Sequence, residues 1–209
     1  MTKSKRESLK NKPRGGRRSD SKGAAFERAV CRRLSLWISR GESKNLFWRS
    51  SLSGGRATTL RRKGENLNVH AGDIAAIDSA GERFIKTFFV ECKAYKTLRF
   101  DSLVYPVKGV IGTMWNKCVR QADDCNKLPL MIVKENGKPW LLITDGGPIN
   151  MCGLVMASFP GRGMYVYLLD DVLKLDPAEF IQGGENAGHI HGRLASYRPK
   201  RGRVSLQDI

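Results

Sequence analysis

No apolar run in the sequence approaches the roughly 18 to 20 residues that a membrane helix needs, so a membrane-spanning segment is not expected. No CxxC pair occurs among Cys31, Cys92, Cys118, Cys125 and Cys152, and an odd number of cysteines supports neither a disulfide framework nor a zinc ribbon. Histidine is scarce. A zinc site made from Cys118, Cys125, His189 and His191 follows no common ligand spacing, so reduced and mostly buried thiols are the simpler expectation. The N-terminus "MTKSKRESLKNKPRGGRRSDSKG" is basic but has no apolar segment of the kind a secretory signal carries, which favours a cytoplasmic protein. Internal repeats are absent.

Acidic residues are also few: 20 Asp and Glu stand against 37 Lys and Arg, a net charge of +17. A field of that size attracts polyanions, and nucleic acid is the first partner to consider. The charge is uneven. Residues 1–22 hold nine Lys/Arg against two acids (+7), residues 189–209 hold five against one (+4), and +6 remains between them. Both ends are expected to touch phosphate or, at the least, to keep the protein soluble.

With 41% hydrophobic residues, 209 residues can bury one sizeable core. The composition divides the chain into a disordered basic arm at 1–22, a folded domain at 23–182 and a basic tail at 183–209. Within the domain, "GAAFERAVCRRLSLWISRG" places Phe26, Ala29, Val30, Leu34, Trp37 and Ile38 at helical spacing, with Gly41 as a stop. Glu27 lies beside this apolar stripe, either aimed into a site or serving as a first-turn acid that favours the helix dipole. Residues 73–78 and 83–93 predict two strands of a hairpin turning at "SAGE". Met114, Trp115, Cys118, Ala122 and Cys125 predict a second helix. Apolar runs on either side of Asn136-Gly137 predict another hairpin, and further strands are expected at 153–158 and 164–169 before a short helix in "DDVLKLDPAEF". This order of helices and strands predicts an α/β or α+β fold with a central mixed β-sheet flanked by helices.

The stretch "GDIAAIDSAGERFIKTFFVECK" sets charged groups at the ends of strand-like sequence. Alternation places Glu91 and Lys93 on one face of their strand. Two carboxylates that converge raise each other's pKa unless a cation lies between them. Magnesium suits such a place, because it takes oxygen ligands, needs only one or two carboxylates and keeps several waters. A surface salt-bridge set is the alternative for the same residues.

Asp73, the gap that follows it, and Glu91-Cys92-Lys93 resemble the PD-(D/E)XK, or restriction-endonuclease-like, nuclease superfamily. Glu27 matches the upstream helical acid common there, and Gly72 stands where the family name has proline. The residues after the motif, "WNKCVRQADDCNKLPLMIVKENGKPWLLI", look like the corresponding part of archaeal-type Holliday junction resolvases and their phage-encoded relatives. The resemblance implies a restriction-endonuclease-like core and a Mg²⁺-dependent DNA endonuclease, with Mn²⁺ able to substitute. Asp73, Glu91 and the Cys92 backbone carbonyl would hold the metal, and Glu27 a second ion or a coordinated water. Lys93 would orient or help deprotonate the attacking water and offset charge in the transition state. It further implies branched or duplex DNA as partner, a homodimer, and the host cytoplasm as location if the chain is phage-encoded.

Between the first helix and Asp73 runs a long basic loop, with Arg49, Ser53, Gly54, Gly55, Arg56, Arg61 and Arg62 placed to grip a nucleic-acid backbone. Gln121 is a candidate to support the site, and His70 a candidate substrate contact. Three competing functions fit parts of the sequence: an endonuclease of linear duplex, a non-catalytic nucleic-acid binder on a nuclease fold, and an RNA-binding protein of ribosomal type. A purely basic binder explains the charge but not the acids, and the ribosomal type fits the tails but leaves the central sandwich without a purpose.

Overall fold

A computed structural model describes residues 15–50, 72–98, 110–145, 153–159 and 163–194, with backbone alone for 15–21 and 187–194. Helix α1 (Gly15–Ile38) buries Phe26, Val30, Cys31, Leu34 and Trp37. It ends where Arg40 and Gly41 take positive φ, and the Gly41 N–H donates to the Leu36 carbonyl at 2.7 Å. The helix reaches back into the stretch expected to be a disordered arm. Once a packed stripe has nucleated a helix, extending it through Arg17, Arg18 and Lys22 costs little, since long unbranched side chains are good helix formers. Glu27 therefore lies about three turns inside the helix, beyond the reach of the dipole at its N-terminus.

Strand β1 (Phe47–Arg49) pairs antiparallel with β2 (Ile74–Ala76) as a small ribbon. Ser35, fully buried on α1, accepts from the N–H groups of Leu46 at 3.0 Å and Phe47 at 3.2 Å, which anchors the ribbon to the helix.

The hairpin expected over 73–93 does not form. A helix, α2 (Ser79–Thr87), separates β2 from β3 (Phe88–Tyr95). Asp78 caps it by accepting from the Ala80 N–H at 2.9 Å, and Lys86 pairs with Glu82 one turn away. The glycine of "SAGE" supplies close approach rather than a turn: a Cβ at Gly81 would lie 2.7 Å from the Phe47 ring.

The main sheet has the order β3-β4-β5-β7-β6, with β4 at Leu128–Glu135, β5 at Leu141–Thr144, β6 at Val155–Phe159 and β7 at Met164–Leu168. β3 and β4 are parallel, connected through helix α3 (Val110–Asp123), and the other pairs are antiparallel. The hairpin around Asn136-Gly137 and the strands near 153–158 and 164–169 form as expected. Two helices close the described chain, α4 (Leu169–Val172) and α5 (Pro177–Leu194). The single short helix expected there is divided because Asp176 accepts from the Ala178 N–H at 2.7 Å and Pro177 opens a new helix. α5 then runs past residue 182, the expected limit of the domain.

Strand alternation sorts the core into two layers. Phe88, Val90, Cys92, Leu130 and Ile132 face α1, α2 and α5. Phe89, Met131 and Val133 face Ile111, Trp115, Cys118 and Ala122 of α3. Phe47, Phe84, Phe88, Phe180 and Trp37 form a run of ring contacts with centroids 5.1 to 5.7 Å apart, which ties the ribbon to the C-terminal helix. The result is a mixed five-stranded sheet flanked by helices, a restriction-endonuclease-like core. Among the described residues no helix is long and apolar enough to cross a membrane.

Candidate active site

β3 is the edge strand of the main sheet, and the ribbon is joined to its open edge. Gly72 makes a parallel bridge to Val90, the Asp73 N–H donates to the Val90 carbonyl at 2.8 Å, and the Asp73 carbonyl accepts from the Ser50 N–H at 2.9 Å. Asp73 is thus held from both sides by backbone bonds. Gly72 has φ +99, and a Cβ there would lie 2.6 Å from the Val90 carbonyl oxygen. Proline, locked near φ −65°, cannot take that conformation, which accounts for glycine at the position where the family name has proline. Gly72→Ala is expected to destabilise the fold by about 2 kcal/mol or more, measured by urea denaturation.

This join brings the distant acids together. Asp73, just before β2, and Glu91, on β3, are 9% and 7% exposed, two buried carboxylates. The Cys92 N–H donates to Asp73 Oδ2 at 2.7 Å. Lys93 Nζ bonds Glu91 Oε1 and lies 4.0 Å from Asp73 Oδ2. Glu91 and Lys93 share the α3 face of β3, as alternation predicts. Glu27 on α1 is 14% exposed at its side chain and accepts from Arg49 Nε at 2.5 Å. Arg49, expected to grip nucleic acid, is paired with this acid.

The electrostatics follow from the packing. Burial, then the charge of Glu91, pushes the Asp73 carboxyl up from 3.8 to about 7, with Lys93 and the Cys92 N–H opposing. Glu27 adds to the upward push, so it belongs to the same field. Burial works against the Lys93 ammonium, but Glu91 and Asp73 outweigh it and hold its pKa above 10.5. Burial raises Cys31 to about 12 and also lifts Cys92 and Cys118. Burial thus favours the neutral thiol at all three positions.

Among the described residues no three His, Cys, Asp or Glu side chains form a metal cluster. The donors on hand are two carboxylates and a backbone carbonyl. A strand residue presents its N–H and C=O to the same edge. Because the Cys92 N–H meets Asp73, the Cys92 carbonyl faces that edge as well. With Glu27 matched by Arg49, ionised Asp73 and Glu91 leave one negative charge beyond Lys93. An oxygen-lined, partly dry place with a residual negative charge fits a hard divalent cation that keeps most of its waters; it does not fit zinc in a closed cage.

Gln121, in the last part of α3, has a buried Oε1 with no hydrogen-bond partner among the described residues. It is three residues on from Cys118, whose thiol feels Glu91, Lys93 and Asp73. Ser53, Gly54, Gly55, Arg56, Arg61, Arg62 and His70 lie outside the described residues, as do the side chains of His189 and His191. Cys31 was expected only in the core, yet Glu27 and Asp73 both act on it. Its i, i+4 spacing from Glu27 is the sequence signal that places it beside the site.

A family model described as "Phage putative PDDEXK endonuclease" matches residues 18–150, which include Glu27, Asp73, Glu91 and Lys93. No curated protein and no solved structure gave a match.

Proposed function

Because this chain belongs to the phage PDDEXK endonuclease family and so to the PD-(D/E)XK nuclease superfamily, we propose that it is a Mg²⁺-dependent endonuclease that hydrolyses DNA phosphodiesters at Asp73, Glu91 and Lys93. The observation that carries this reading is the pair of buried carboxylates, one just before β2 and one on β3, drawn to one edge and shared by a single ammonium. Structural salt bridges seldom bury two acids for one base, because the unmatched charge is costly.

Asp73, Glu91 and the Cys92 carbonyl would hold the ion. When bound, the ion supplies Lewis-acid activation of the phosphodiester and lowers the pKa of water. Lys93, 27% exposed at its side chain and held by Glu91, reaches from the buried acids toward solvent. There its ammonium offsets the charge that develops on the phosphoryl oxygens and orients the attacking water. Glu27, paired with Arg49, is a positioning residue that holds this guanidinium. When DNA approaches, Arg49 can exchange its carboxylate for phosphate, since a guanidinium binds either one. The basic ends of the chain add contacts to phosphate that lack sequence preference.

We take branched DNA as the favoured substrate and linear duplex as the second reading. Cutting a four-way junction on opposed strands requires two sites, so the first reading expects a homodimer. Labelled junction and linear duplex of the same sequence, incubated with Mg²⁺ or EDTA, separate the two. Metal-dependent cleavage of the junction well above the duplex is expected. Equal cleavage would favour a general endonuclease, and tight binding without cleavage in Mg²⁺ or Mn²⁺ would leave a non-catalytic binder.

A further inference from the structure

Two large apolar side chains of the ribbon region remain in solvent: Trp48 is 54% exposed and Ile77 is 61% exposed. Trp48 pairs in register with Ala75, two residues beyond Asp73. At a strand rise of about 3.3 Å per residue, its level is about 7 Å from that acid. Its neighbours on β1 have structural duties, for Phe47 fills the core and Arg49 is bound to Glu27. Alternation turns the indole away from Phe47. The exposed ring therefore stands next to the strand that Asp73 leads into, without serving the core.

We propose that Trp48 is a stacking platform for an unpaired base of the substrate, next to the phosphate that is cut; the proposal rests on the nuclease reading of Asp73, Glu91 and Lys93. An aromatic face accepts any base, but only a base that is free of its own stack. Charge favours nucleic acid over a second copy of the chain as the occupant. A chain of net +17 attracts polyanions, and residues 51–63, which follow directly, carry Arg56, Arg61, Arg62 and Lys63 with no acid. The platform selects substrates with unpaired bases beside the cut, such as bubbles, flaps and open junction centres, over continuous duplex.

The test uses the full chain carrying Asp73→Asn, which removes cleavage from the measurement, alone and combined with Trp48→Ala or Trp48→Phe. Trp48 is at the surface, where substitution alters stability little. Binding to a DNA bubble and to continuous duplex of the same sequence is followed by fluorescence anisotropy. Trp48→Ala should weaken bubble binding about 10-fold and duplex binding less than about 2-fold, while Trp48→Phe keeps most of the bubble affinity. Equal losses on both DNAs, or none on either, would overturn the platform. So would a change from dimer to monomer by light scattering with bubble preference unchanged, which would assign Trp48 to a second copy. The parent chain is assayed for metal-dependent cleavage of both DNAs in parallel. Absence of cleavage counts against the nuclease reading, whereas the binding comparison judges the platform by itself.

Discussion

Asp73→Asn should melt at a higher temperature than the parent chain in metal-free buffer at pH 8, and should cut no DNA. In the parent, the Asp73 carboxyl is pushed up to about 7 from an ordinary 3.8, because it is buried beside Glu91. A carboxyl raised on folding contributes its full stability below about pH 4. That contribution is lost as pH rises through about 7, since the unfolded chain releases the proton first. At pH 8 the folded parent must hold an ionised Asp73 that it would rather protonate, a cost on the order of 2 kcal/mol or more. Asparagine carries no charge and still accepts from the Cys92 N–H. The gain corresponds to roughly 4 to 8 °C for a chain of this size. It should shrink toward zero as pH falls to about 4.

Divalent cation reverses the comparison. Mg²⁺ should raise the melting temperature of the parent, by an amount that grows with pH because the proton and the ion compete for Asp73. The variant should gain little. Thermal melts of both proteins at pH 4, 6 and 8, with Mg²⁺ or EDTA, check every part of this. A variant less stable than the parent at pH 8 would mean that Asp73 is a structural ion-pair partner, as the salt-bridge reading holds.

Lys93→Met should fail in the opposite direction while losing the same activity. Lys93 is the only described cation within 4.0 Å of Asp73 and Glu91. Its removal leaves two buried carboxylates facing each other, which should lower metal-free stability by about 2 kcal/mol, allowing for the part of the ammonium that solvent already screens. Mg²⁺ should then restore more stability than it gives the parent, because the ion takes over the missing positive charge. Cleavage should stay down by about 10² to 10⁴-fold. Lys93→Arg separates charge from shape: it should recover most of the stability but little of the rate, since a guanidinium is a planar fork and not a compact point charge. The pair of variants is thus diagnostic. Loss of activity with stability rising at Asp73 and falling at Lys93 is the signature of charges gathered for an ion, whereas an ordinary salt bridge would weaken from either side.

The two stability effects share a physical origin with the architecture. A strand edge normally presents unpaired backbone groups. Here Gly72 and Asp73 cover part of the β3 edge, and the same backbone bonds that protect it bring Asp73 to the Cys92 N–H. On the proposed reading, stability and catalysis meet at one join, where a buried acid is tolerated for function at a cost in stability.

The amphipathic stripe of α1, the helix with Trp115, Cys118 and Ala122, and the hairpin at Asn136-Gly137 were legible because periodicity follows from one-sided burial, a property each segment shows locally. So was the sharing of one face by Glu91 and Lys93, which follows from strand alternation. The segment 79–87 was not. Ala80, Phe84, Ile85 and Phe88 suit a short helix as well as an apolar strand, and a glycine in the middle suggests a turn until Phe47 is seen packed against it. Ribbon and sheet are brought together by contacts between residues far apart in the chain, so the route from Asp73 to Glu91 could not be drawn from spacing.

Residue types, together with the resemblance to the nuclease superfamily, were enough to propose Glu27, Asp73, Glu91 and Lys93 for divalent-metal chemistry, because carboxylates and lysine carry their charge preferences wherever they stand. Their burial, the pairing of Glu27 with Arg49, the raised carboxyl of Asp73 and the positive φ that requires Gly72 arise only when the chain closes on itself. Charge interactions depend on distance and on exclusion of water, and neither exists until the core has formed.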